Sequence, residues 1–502
     1  MNKLPGPALS PHVLKAMRRG IEKESLRVRP DGRLSSVPHP AALGSALTHP
    51  HITTDFSESQ LELITGVHDR VDACLEELTE IHEVVYRAIG DEMLWCASMP
   101  CNLPDDDAIP IGRYGSSNVG RAKTVYRTGL SYRYGRRMQT ISGIHYNLSM
   151  PGVTSEQYFA LIRNFRRRSW LLLYLFGASP AVCPSFVAGR SHELQELGPG
   201  TLHAPHGTSL RMGRLGYQSD AQASLAVSYN SLRSYTASLY DALTKPYPPY
   251  EKIGIKVGDE CRQLNTTLLQ IENEFYGTIR PKRRIKRGER PLHALRERGV
   301  EYVEVRLMDL DPFVAIGIGA STMRFLDVFL LHCLLDDSPD DTPDEIGAIK
   351  RNQQLVALRG REPGLLLEKD KEKVSLAAWG RQVLAECEPI AAALDRLHAG
   401  SAFRDALLGA GVVVSNPDSA PSARVLHAMA RNHGNSYVRF ALTESLLHAG
   451  SLRGLPLGTE VKERFARLAK ESLEEQRRLE AADQVDFETF RQQYLSPELL
   501  KV

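Results

Sequence analysis

Residues 20–27 most constrain how this chain can fold, because they place two acids on one face of a predicted β-strand. In the segment GIEKESLR, Glu22 and Glu24 are two positions apart, and the side chains next to them point to the opposite face. This spacing sets the two carboxylates about 6.6 Å apart. Like charges side by side destabilise a sheet, so we expect a positive group over them, and a divalent metal ion is the natural candidate. If the pair stood alone, a solvated edge strand would be the better interpretation.

Three further segments repeat this pattern of aliphatic residues on one face and polar residues on the other. Alternation in QLELIT puts Glu62 opposite two leucines, and Asp55 precedes it by seven residues. In SGIHYNLS, a buried aliphatic and tyrosine face leaves His145 on the other side, and in YVEVR the valines pack while Glu304 and Arg306 share a face. Alone, His145 would be a core histidine and Glu304 a surface residue paired with Arg306. Together the four segments predict one polar-lined sheet.

The composition is that of an ordinary globular protein. The chain has 502 residues, 42% hydrophobic and 24% charged, with a net charge of +2. This suits about three domains or one large enzyme domain with insertions, and it implies no polyanion partner for the whole chain. The N-terminal sequence lacks the apolar stretch of a secretory signal, and the apolar run at 170–176 is far shorter than the ~18 residues of a membrane span. Seven cysteines without a CxxC pair favour a reducing cytoplasm over a disulfide framework. We therefore expect a cytoplasmic protein without a membrane partner.

Helical periodicity and capping signals predict helices between the β-patterned segments. Apolar spacing predicts a helix over 71–89, and a Thr154/Gln157 capping box begins a second helix that ends near Gly177. A third helix is expected around 321–335. Three stretches are predicted mostly as loop, the last with a short strand in IGIKV: 97–140, 192–218 and 245–290.

The mixture of strands and helices without regular alternation favours an α+β fold over a doubly wound sheet. Beyond residue 336 the pattern is almost wholly helical. All the candidate chemistry lies before residue 310. We therefore predict one catalytic unit over 1–502, with a sheet-bearing core at 10–335 and a mainly helical C-terminal buttress at 345–502.

Two motifs suggest ligands but fit them poorly. Residues 115–122, GSSNVGRA, come close to a P-loop, but Arg121 replaces the lysine and Ala122 the hydroxyl residue, so we reject nucleotide binding of that type. The backbone amides of this loop could still contact a ligand. The basic run 280–287, RPKRRIKR, could bind nucleic acid or the phosphates of a nucleotide. It has no interleaved aromatic residues, so a solvated loop is the better interpretation and we expect no nucleic-acid partner.

The acids and the imidazole predict metal chemistry. The candidate ligands are Glu22, Glu24, Asp55, Glu62, His145 and Glu304. Such a set suits Mg²⁺ or Mn²⁺, and it exceeds what one ion needs, so two or three ions are expected. Clustered divalent ions usually hold phosphate oxygens during transfer, and Arg306 would neutralise the charge that develops there. The residues alone leave kinase, ligase and phosphohydrolase open.

Eight segments, in order along the chain, carry a resemblance to a known family. They are RGIEKESLRV, LGSALTHPHITTDFSESQLELIT, YGSSNVGRAKTVYRTGLSYRYG, MQTISGIHYNLS, YLFGASPAVCPSF, TSLRMGRLGY, LQIENEFYGTIRPKR and GVEYVEVRLMDLDPF. These segments resemble the proteobacterial class of glutamate–cysteine ligases over about residues 15–315, and more weakly beyond. The resemblance implies a glutamine-synthetase-like catalytic domain, with an antiparallel sheet curved into a funnel and helices packed outside. It also implies a monomer.

The reaction implied by the resemblance is the first step of glutathione synthesis. ATP, L-glutamate and L-cysteine would give γ-glutamylcysteine, ADP and phosphate through a γ-glutamyl phosphate. A carboxylate is a poor electrophile for an amine, and phosphorylation supplies it with a leaving group. The alternatives are a metal-dependent phosphohydrolase and another ATP-dependent carboxylate–amine ligase.

The resemblance also implies roles for individual residues, by their position in the matching segments. One magnesium site is matched by Glu22, His145 and Glu304. A second is matched by Glu24, Asp55 and Glu62, and a third ion would share ligands with these beside the ATP phosphates. Arg306 matches the arginine set against the transferred phosphoryl group, and Arg211 matches one that binds a substrate carboxylate through a bidentate fork. The pocket around the cysteine substrate is matched by Phe56, Tyr126, Leu130, Gln139, Tyr217 and Tyr276.

The chain departs from the family at one point. After residue 151 it enters its next helix almost directly, where members of the family carry a longer insertion that contains a cysteine. We therefore expect Cys101 to have lost its disulfide partner, and we do not expect redox control through it.

Overall fold

The computed structural model describes residues 11–216, 220–223, 225, 227–286 and 288–500. Its strands are β1 (Arg18–Val28), β2 (Ile52–Thr54), β3 (Gln60–Ile64), β4 (Met93–Leu94), β5 (Ile144–Ser149), β6 (Ala181–Val182), β7 (Gln195–Gly198), β8 (Thr201–His203), β9 (Lys256–Val257), β10 (Glu260–Cys261), β11 (Ile279–Lys282), β12 (Tyr302–Met308), β13 (Leu366–Lys369) and β14 (Glu372–Ser375).

The α-helices of the described ranges surround these strands. They are α1 (Pro11–Lys15), α2 (Val71–Ala88), α3 (Asn118–Tyr134), α4 (Ser155–Arg168), α5 (Trp170–Phe176), α6 (Pro184–Val187), α7 (Asp220–Ala223), α8 (Leu232–Thr244), α9 (Pro248–Glu251), α10 (Pro291–Arg298), α11 (Ala320–Leu335), α12 (Pro343–Arg359), α13 (Leu376–His398), α14 (Ala402–Ser415), α15 (Pro421–Asn432), α16 (Tyr437–Gly454), α17 (Thr459–Ala481) and α18 (Phe487–Tyr494). Short 3₁₀ turns that matter below lie at Met138–Thr140 and Leu210–Met212.

One antiparallel sheet forms the centre of the fold. Its strands are hydrogen-bonded in the order β11-β12-β5-β1-β3-β2, and β4 pairs with the end of β1. Each of these pairs is antiparallel. The predicted α+β class is therefore confirmed.

Strand register joins four separate sequence segments into one polar surface. Glu22 of β1 lies directly opposite His145 of β5, and Glu24 lies opposite Glu62 of β3. Glu304 of β12 lies opposite the asparagine two residues after His145. Residues directly opposite each other point to the same face of a sheet, so these acids and the imidazole share one face.

The other face of the sheet packs on helices, and a buried polar network ties it to α11. The aliphatic residues of β5 are almost completely buried, and burying one such side chain contributes roughly 1.5–3 kcal/mol. Behind β1, the guanidinium of Arg19 forms an ion pair with Asp327 at 3.0 Å. The hydroxyl of Tyr146 on β5 donates a hydrogen bond to the same carboxylate. This network holds the two strands with the central acid and imidazole against α11.

Three of the predicted helices are confirmed to within a residue or two. Helix α2 covers residues 71–88 and α11 covers 320–335. Thr154 and Gln157 form the predicted reciprocal capping box at the start of α4. The helical segment continues through α5 and ends at Gly177.

The prediction of mostly loop over 97–140 missed α3, which occupies Asn118–Tyr134. This helix has no continuous apolar stripe, since its buried positions include Asn118 and the small residues Gly120, Ala122 and Gly129. Ser117 caps the helix by accepting a hydrogen bond from the Gly120 amide. Periodicity of apolar residues therefore gave no signal for α3.

The two other predicted loops also contain short elements. Residues 192–218 include the β7–β8 hairpin, and residues 245–290 include α9, the β9–β10 pair and β11. The predicted strand in IGIKV is reduced to Lys256–Val257. Gly254 before it has a φ of +76°, which breaks the extended conformation.

From α12 onwards the described chain is helical apart from the β13–β14 hairpin. The end of this region contacts the N-terminal third of the chain. Ser472 of α17 accepts a hydrogen bond from the Ser45 amide at 3.0 Å. No helix in the described ranges is both long enough and apolar enough to cross a bilayer.

The loop that resembles a P-loop is held by acids that follow or end α17. The Ser116 amide donates to Glu480 at 2.9 Å, and the Asn118 amide donates to Asp483 at 2.7 Å. These amides are therefore satisfied by carboxylates of the protein. The suggestion that they contact a ligand is not supported.

Cys101 forms a disulfide with Cys183, so the expectation that Cys101 has no partner is wrong. The two cysteines are 82 residues apart in sequence, and β6 brings the second one beside the first. Both are buried, at 3% exposure. The sequence argument considered only the missing insertion and overlooked the cysteine in YLFGASPAVCPSF. The remaining cysteines of the described chain are free: Cys74, Cys96, Cys261, Cys333 and Cys387.

Replacing Cys183 by serine should lower the stability of the oxidised protein. A bridge that closes a long loop restricts the unfolded chain and typically contributes roughly 2–4 kcal/mol. We expect Cys183→Ser to unfold at a lower temperature by calorimetry, and a reductant to destabilise the wild type but not the variant. Cys261→Ser, at a free and partly exposed cysteine, is the matched control. An equal effect of reductant on wild type and Cys183→Ser would contradict the bridge.

Candidate active site

Strand pairing brings Glu22, His145 and Glu304 into one cluster. His145 Nδ1 lies 3.1 Å from Glu22 Oε2 and 3.8 Å from Glu304 Oε1. One ligand atom from each of the three lies within 4.8 Å of the others. On the other side of the ring, His145 Nε2 lies 3.5 Å from Glu24 Oε1. The predicted convergence of residues from three strands is therefore observed.

Glu24 and Glu62 are direct cross-strand partners, and Asp55 follows β2 immediately. The Asp55 amide donates to Gln60 O at 3.0 Å, which fixes this residue at the edge of the sheet. Burial, and then the charge of Asp55, raise the pKa of Glu24 to about 8. Burial raises the pKa of Glu62 well above its ordinary value, and the charges of Glu22, Asp55 and Glu24 add to this. These acids repel one another, and a cation would relieve that repulsion.

The His145 side of the cluster is electrostatically different. Burial lowers the pKa of His145, and the nearby Arg306 charge lowers it further, against the effect of the acids. The ring is therefore neutral near pH 7, which is the form that binds metals. Burial disfavours the charged form of Glu304, but the charges of Lys282 and Arg306 outweigh it and hold the pKa of Glu304 well below its ordinary value.

Several buried atoms of the cluster make no hydrogen bond to the described residues. They are Glu24 Oε1, Glu304 Oε2, His145 Nε2 and Asn147 Oδ1. Buried polar atoms are nearly always hydrogen-bonded in native proteins. Carboxylate oxygens with free lone pairs, together with one neutral imidazole, are a donor set that fits divalent cations.

Arg306 contacts this cluster, and Arg211 contacts Arg306. Arg306 Nη1 lies 3.2 Å from Glu304 Oε1, and Lys282 Nζ lies 3.5 Å from the same oxygen. Arg211 sits in the 3₁₀ turn Leu210–Met212, is 1% exposed, and its Nη2 donates to Arg306 O at 2.8 Å. The two arginines are thus neighbours although 95 residues separate them in sequence.

Gly143, which sequence reasoning did not single out, is required by this packing. Its amide donates to Glu24 Oε2 at 2.8 Å. A Cβ atom at Gly143 would lie only 2.2 Å from Arg211 Nη2 and 2.4 Å from its Cζ. The guanidinium therefore lies directly on the glycine backbone. A glycine just before a polar-faced strand is the only sequence signal that could have indicated this close approach.

Replacing Gly143 by alanine should displace the Arg211 guanidinium. Because the new methyl group overlaps the planar end of a buried side chain, we expect kcat/KM to fall on the order of 10²-fold. Steady-state kinetics measure this. Gly409→Ala is the matched control, since a Cβ there meets no described atom within 4 Å. It should leave kinetics unchanged and slightly stabilise α14. Equal kinetics for both variants would contradict the assigned packing.

Among the residues predicted to surround one substrate, Gln139 and Tyr276 are in direct contact. Phe56, Leu130 and Gln139 are buried, and Gln139 Nε2 donates to the Tyr276 hydroxyl at 2.9 Å. Tyr126 lies one helical turn before Leu130 on α3. A cavity of about 280 Å³ is lined in part by Tyr276, Arg211 and Arg306. Tyr217 lies outside the described residues.

Two further residues of α3 were missed. Arg127 Nε donates to Asp55 O and the guanidinium stacks over Tyr114, so α3 is tied to the loop that carries Asp55. Burial lowers the pKa of Lys123 to about 8. A lysine and an arginine at i and i+4 were the available sequence signal.

The basic run 280–287 does not form one continuous cationic surface in its described part. Arg280 is buried and donates to backbone carbonyls, and Arg284 pairs with Glu301 at 2.8 Å. Lys282 Nζ lies 3.5 Å from Glu304 Oε1, and Arg280 lies directly opposite Glu304 in the sheet. Arg287 lies outside the described residues.

Buried acids and an imidazole beside two arginines, on the polar face of a sheet, are typical of enzymes that act on phosphorylated substrates with metal ions.

Comparison with known proteins identifies one family within this class of enzymes. A family model described as glutamate-cysteine ligase matches residues 7–356. The glutamate–cysteine ligase of Pseudomonas entomophila is 49% identical over 496 residues, covering 95% of this chain and 93% of that protein. That of Alcanivorax borkumensis is 48% identical over 506 residues, covering 96% of each.

Solved structures agree with the sequence relatives. The glutamate–cysteine ligase of Francisella tularensis, in complex with AMP, superposes with a TM-score of 0.91 at 37% identity and covers 96% of this chain and 97% of that one. A bifunctional glutathione synthetase from Pasteurella multocida gives a TM-score of 0.69 at 27% identity, over 88% of this chain and 54% of that one. The chain belongs to the glutamate–cysteine ligase family.

Proposed function

We propose that this protein joins the γ-carboxylate of L-glutamate to the amine of L-cysteine, using ATP, as the first step of glutathione synthesis. The products are γ-glutamylcysteine, ADP and phosphate. Membership of the glutamate–cysteine ligase family supports the reaction. The observation that carries the proposal is the cluster of Glu22, His145 and Glu304, with ligand atoms within 4.8 Å of one another, beside Arg306.

The fold is proposed to be glutamine-synthetase-like, with the central sheet curved into a funnel around the substrates. The antiparallel order of the sheet and its one polar face support this arrangement. In such a funnel, the helices outside it would keep the walls fixed.

The acidic cluster fits two or three Mg²⁺ ions, with Mn²⁺ as a substitute. Glu22, His145 and Glu304 would hold one ion. Glu24, Asp55 and Glu62 would hold another. The buried oxygen atoms without hydrogen-bond partners support this assignment. When bound, such ions neutralise the triphosphate and the charge that develops during transfer.

Arg306 and Arg211 are proposed to act directly on the substrates in the first step. An oxygen of the γ-carboxylate of glutamate attacks the γ-phosphorus of ATP, and the bond to the β–γ bridging oxygen breaks as ADP leaves. Arg306 donates hydrogen bonds to the transferred phosphoryl oxygens. Arg211 holds the α-carboxylate of glutamate in its bidentate fork, which orients the γ-carboxylate for attack.

The cysteine pocket is proposed to direct the second step. The cysteine amine attacks the acyl carbon, a C–N bond forms, the C–O bond to phosphate breaks, and the departing phosphate takes the proton that the amine loses. The residues assigned to this pocket are Phe56, Tyr126, Leu130, Gln139, Tyr217 and Tyr276. The hydrogen bond between Gln139 and the Tyr276 hydroxyl supports a preformed pocket.

We also propose that the protein is a monomer, which light scattering with size-exclusion chromatography tests.

Coupled ADP release tests the reaction. With ATP, Mg²⁺ and L-glutamate, turnover should be slow until L-cysteine is added. ADP release that needs no amino acid would replace the proposal with a phosphohydrolase. Equal turnover with unrelated amines in place of cysteine would replace it with a different carboxylate–amine ligase.

A further inference from the structure

Asp309 is a buried carboxylate next to the site to which no role has been assigned. It follows β12 directly, three residues after Arg306, and is 5% exposed. Its Oδ2 accepts hydrogen bonds from the Ala178 amide at 2.9 Å and from Ser179 Oγ at 2.6 Å. Its Oδ1 accepts one from Ser209 Oγ at 2.9 Å. Two oxygens thus receive three donors from two separate loops.

The loops held by Asp309 are the ones that shape the turn containing Arg211. Ser209 is the N-cap of this turn and accepts the Met212 amide at 3.3 Å. Leu210 donates its amide to Ser179 O at 2.7 Å. Asp309 therefore clamps the turn through Ser209 on one side and through Ser179 on the other.

A carboxylate suits the clamp because it can accept all three of these hydrogen bonds. Each of its three bonds uses a donor of the surrounding chain, and a carboxylate offers only acceptors. An asparagine of the same shape would turn its NH₂ group towards Ser209 Oγ, so that this hydroxyl could no longer donate to residue 309, and it would remove the negative charge that acts on Arg211. The positive charge of Arg211 is the electrostatic complement of Asp309, since it partly offsets the rise in the pKa of Asp309 caused by burial.

The end of β12 and the residues after it thus carry three side chains with different proposed roles. Along β12 and its continuation lie Glu304 in the acidic cluster, Arg306 next to it, and Asp309 as the clamp. Arg211 is held from both sides, by the clamp on its backbone and by the Arg306 carbonyl on its guanidinium. A shift of the turn would therefore move the guanidinium away from β12.

We propose that Asp309 is a positioning residue that fixes Arg211 for the carboxylate of L-glutamate and so sets the affinity for that substrate. The inference rests on the proposed function, in which Arg211 binds glutamate. Asp309 itself does not touch substrate.

The test compares Asp309→Asn with wild type in steady-state kinetics for each substrate separately. We expect the KM for L-glutamate to rise on the order of 10-fold, and the KM values for ATP and L-cysteine to stay within about twofold. Arg211→Lys should raise the KM for L-glutamate by a smaller factor in the Asp309→Asn background than in wild type, because both changes disturb the same contact.

Asp395→Asn is the matched control. Asp395 is also buried, at 2% exposure, and accepts the backbone amides of Phe403 and Arg404 between α13 and α14. Its replacement should lower the melting temperature without changing the KM for any substrate. If Asp309→Asn folds poorly, Ser209→Ala removes one arm of the clamp and should raise the KM for glutamate about threefold.

The role of Asp309 would be overturned if the KM for L-glutamate were unchanged in both Asp309→Asn and Ser209→Ala. It would also be overturned if the effects of Asp309→Asn and Arg211→Lys on this KM were independent of each other. A wild type that shows no cysteine-dependent ADP release would instead overturn the proposed function. The two failures are therefore distinguishable in the same assay.

Discussion

Glu304→Gln should lower kcat on the order of 10³-fold while the protein still folds. The side chain is 1% exposed, and its Oε2 makes no hydrogen bond to a described residue. Glutamine keeps the shape but removes the negative charge and replaces one acceptor oxygen by a donor. The variant therefore loses the cation that this carboxylate would help to hold. ADP release under saturating substrates measures the loss, and circular dichroism measures folding.

Thermal melting separates a metal ligand from a structural acid. Mg²⁺ should raise the melting temperature of the wild type clearly, because ligands that bind only the folded state stabilise it. It should raise that of Glu304→Gln much less. Glu301→Gln is the matched control, since Glu301 lies three residues earlier and pairs with Arg284 instead of the cluster. Equal gains for Glu304→Gln and wild type would count against the metal assignment.

Arg306→Ala should also reduce kcat on the order of 10³-fold, but its response to Mg²⁺ in thermal melting should differ from that of Glu304→Gln. The guanidinium faces the transferred phosphoryl group in the proposed mechanism and matters most when charge develops there. Its loss leaves the six candidate ligands in place, so the Mg²⁺-induced rise in melting temperature should remain. Arg306→Lys should fall between wild type and alanine, because lysine keeps the charge but loses the planar fork.

The control for Arg306 is Arg284→Ala, an exposed arginine of the neighbouring basic run that pairs with Glu301. It should change kcat less than twofold. If Arg306→Ala lost the response to Mg²⁺ to the same extent as Glu304→Gln, Arg306 would be supporting the metal cluster. The assignment to the phosphoryl group would then be wrong.

The cluster could be predicted from sequence because its strands follow a simple period. A side-chain alternation of two residues states which face Glu22, Glu24, His145 and Glu304 occupy, and like charges on one face indicate a cation. The order of the strands in the sheet could not be predicted from the sequence. The alternation predicted which residues share the polar face. The strand register of the structure then places Glu22 opposite His145.

Features that depend on contacts between distant loops could not be predicted in this way. Arg211 and Arg306 are neighbours because a 3₁₀ turn packs on a strand 95 residues later, and the turn has no periodic signal. The close approach at Gly143 and the clamp at Asp309 are equally non-local. The roles of the arginines and of the pocket residues came from family resemblance, and the physical pattern supplied only their polarity.

Two errors have specific physical causes. Helix α3 was missed because most of its buried positions are small or polar residues and only Val125 and Leu130 are large and apolar, so the apolar period that marks an amphipathic helix is weak. The Cys101–Cys183 bridge was missed because disulfide partners are set by Cα geometry, which spacing along the chain does not reveal.

The contacts between α17 and the first third of the chain have a consequence for biosynthesis. Ser45 and Asn118 find their partners, Ser472 and Asp483, only after a further 427 and 365 residues have been translated. At ordinary ribosome speeds, the segments before β2 and at the start of α3 wait roughly tens of seconds for these residues. We therefore expect these two segments to reach their native contacts late in synthesis.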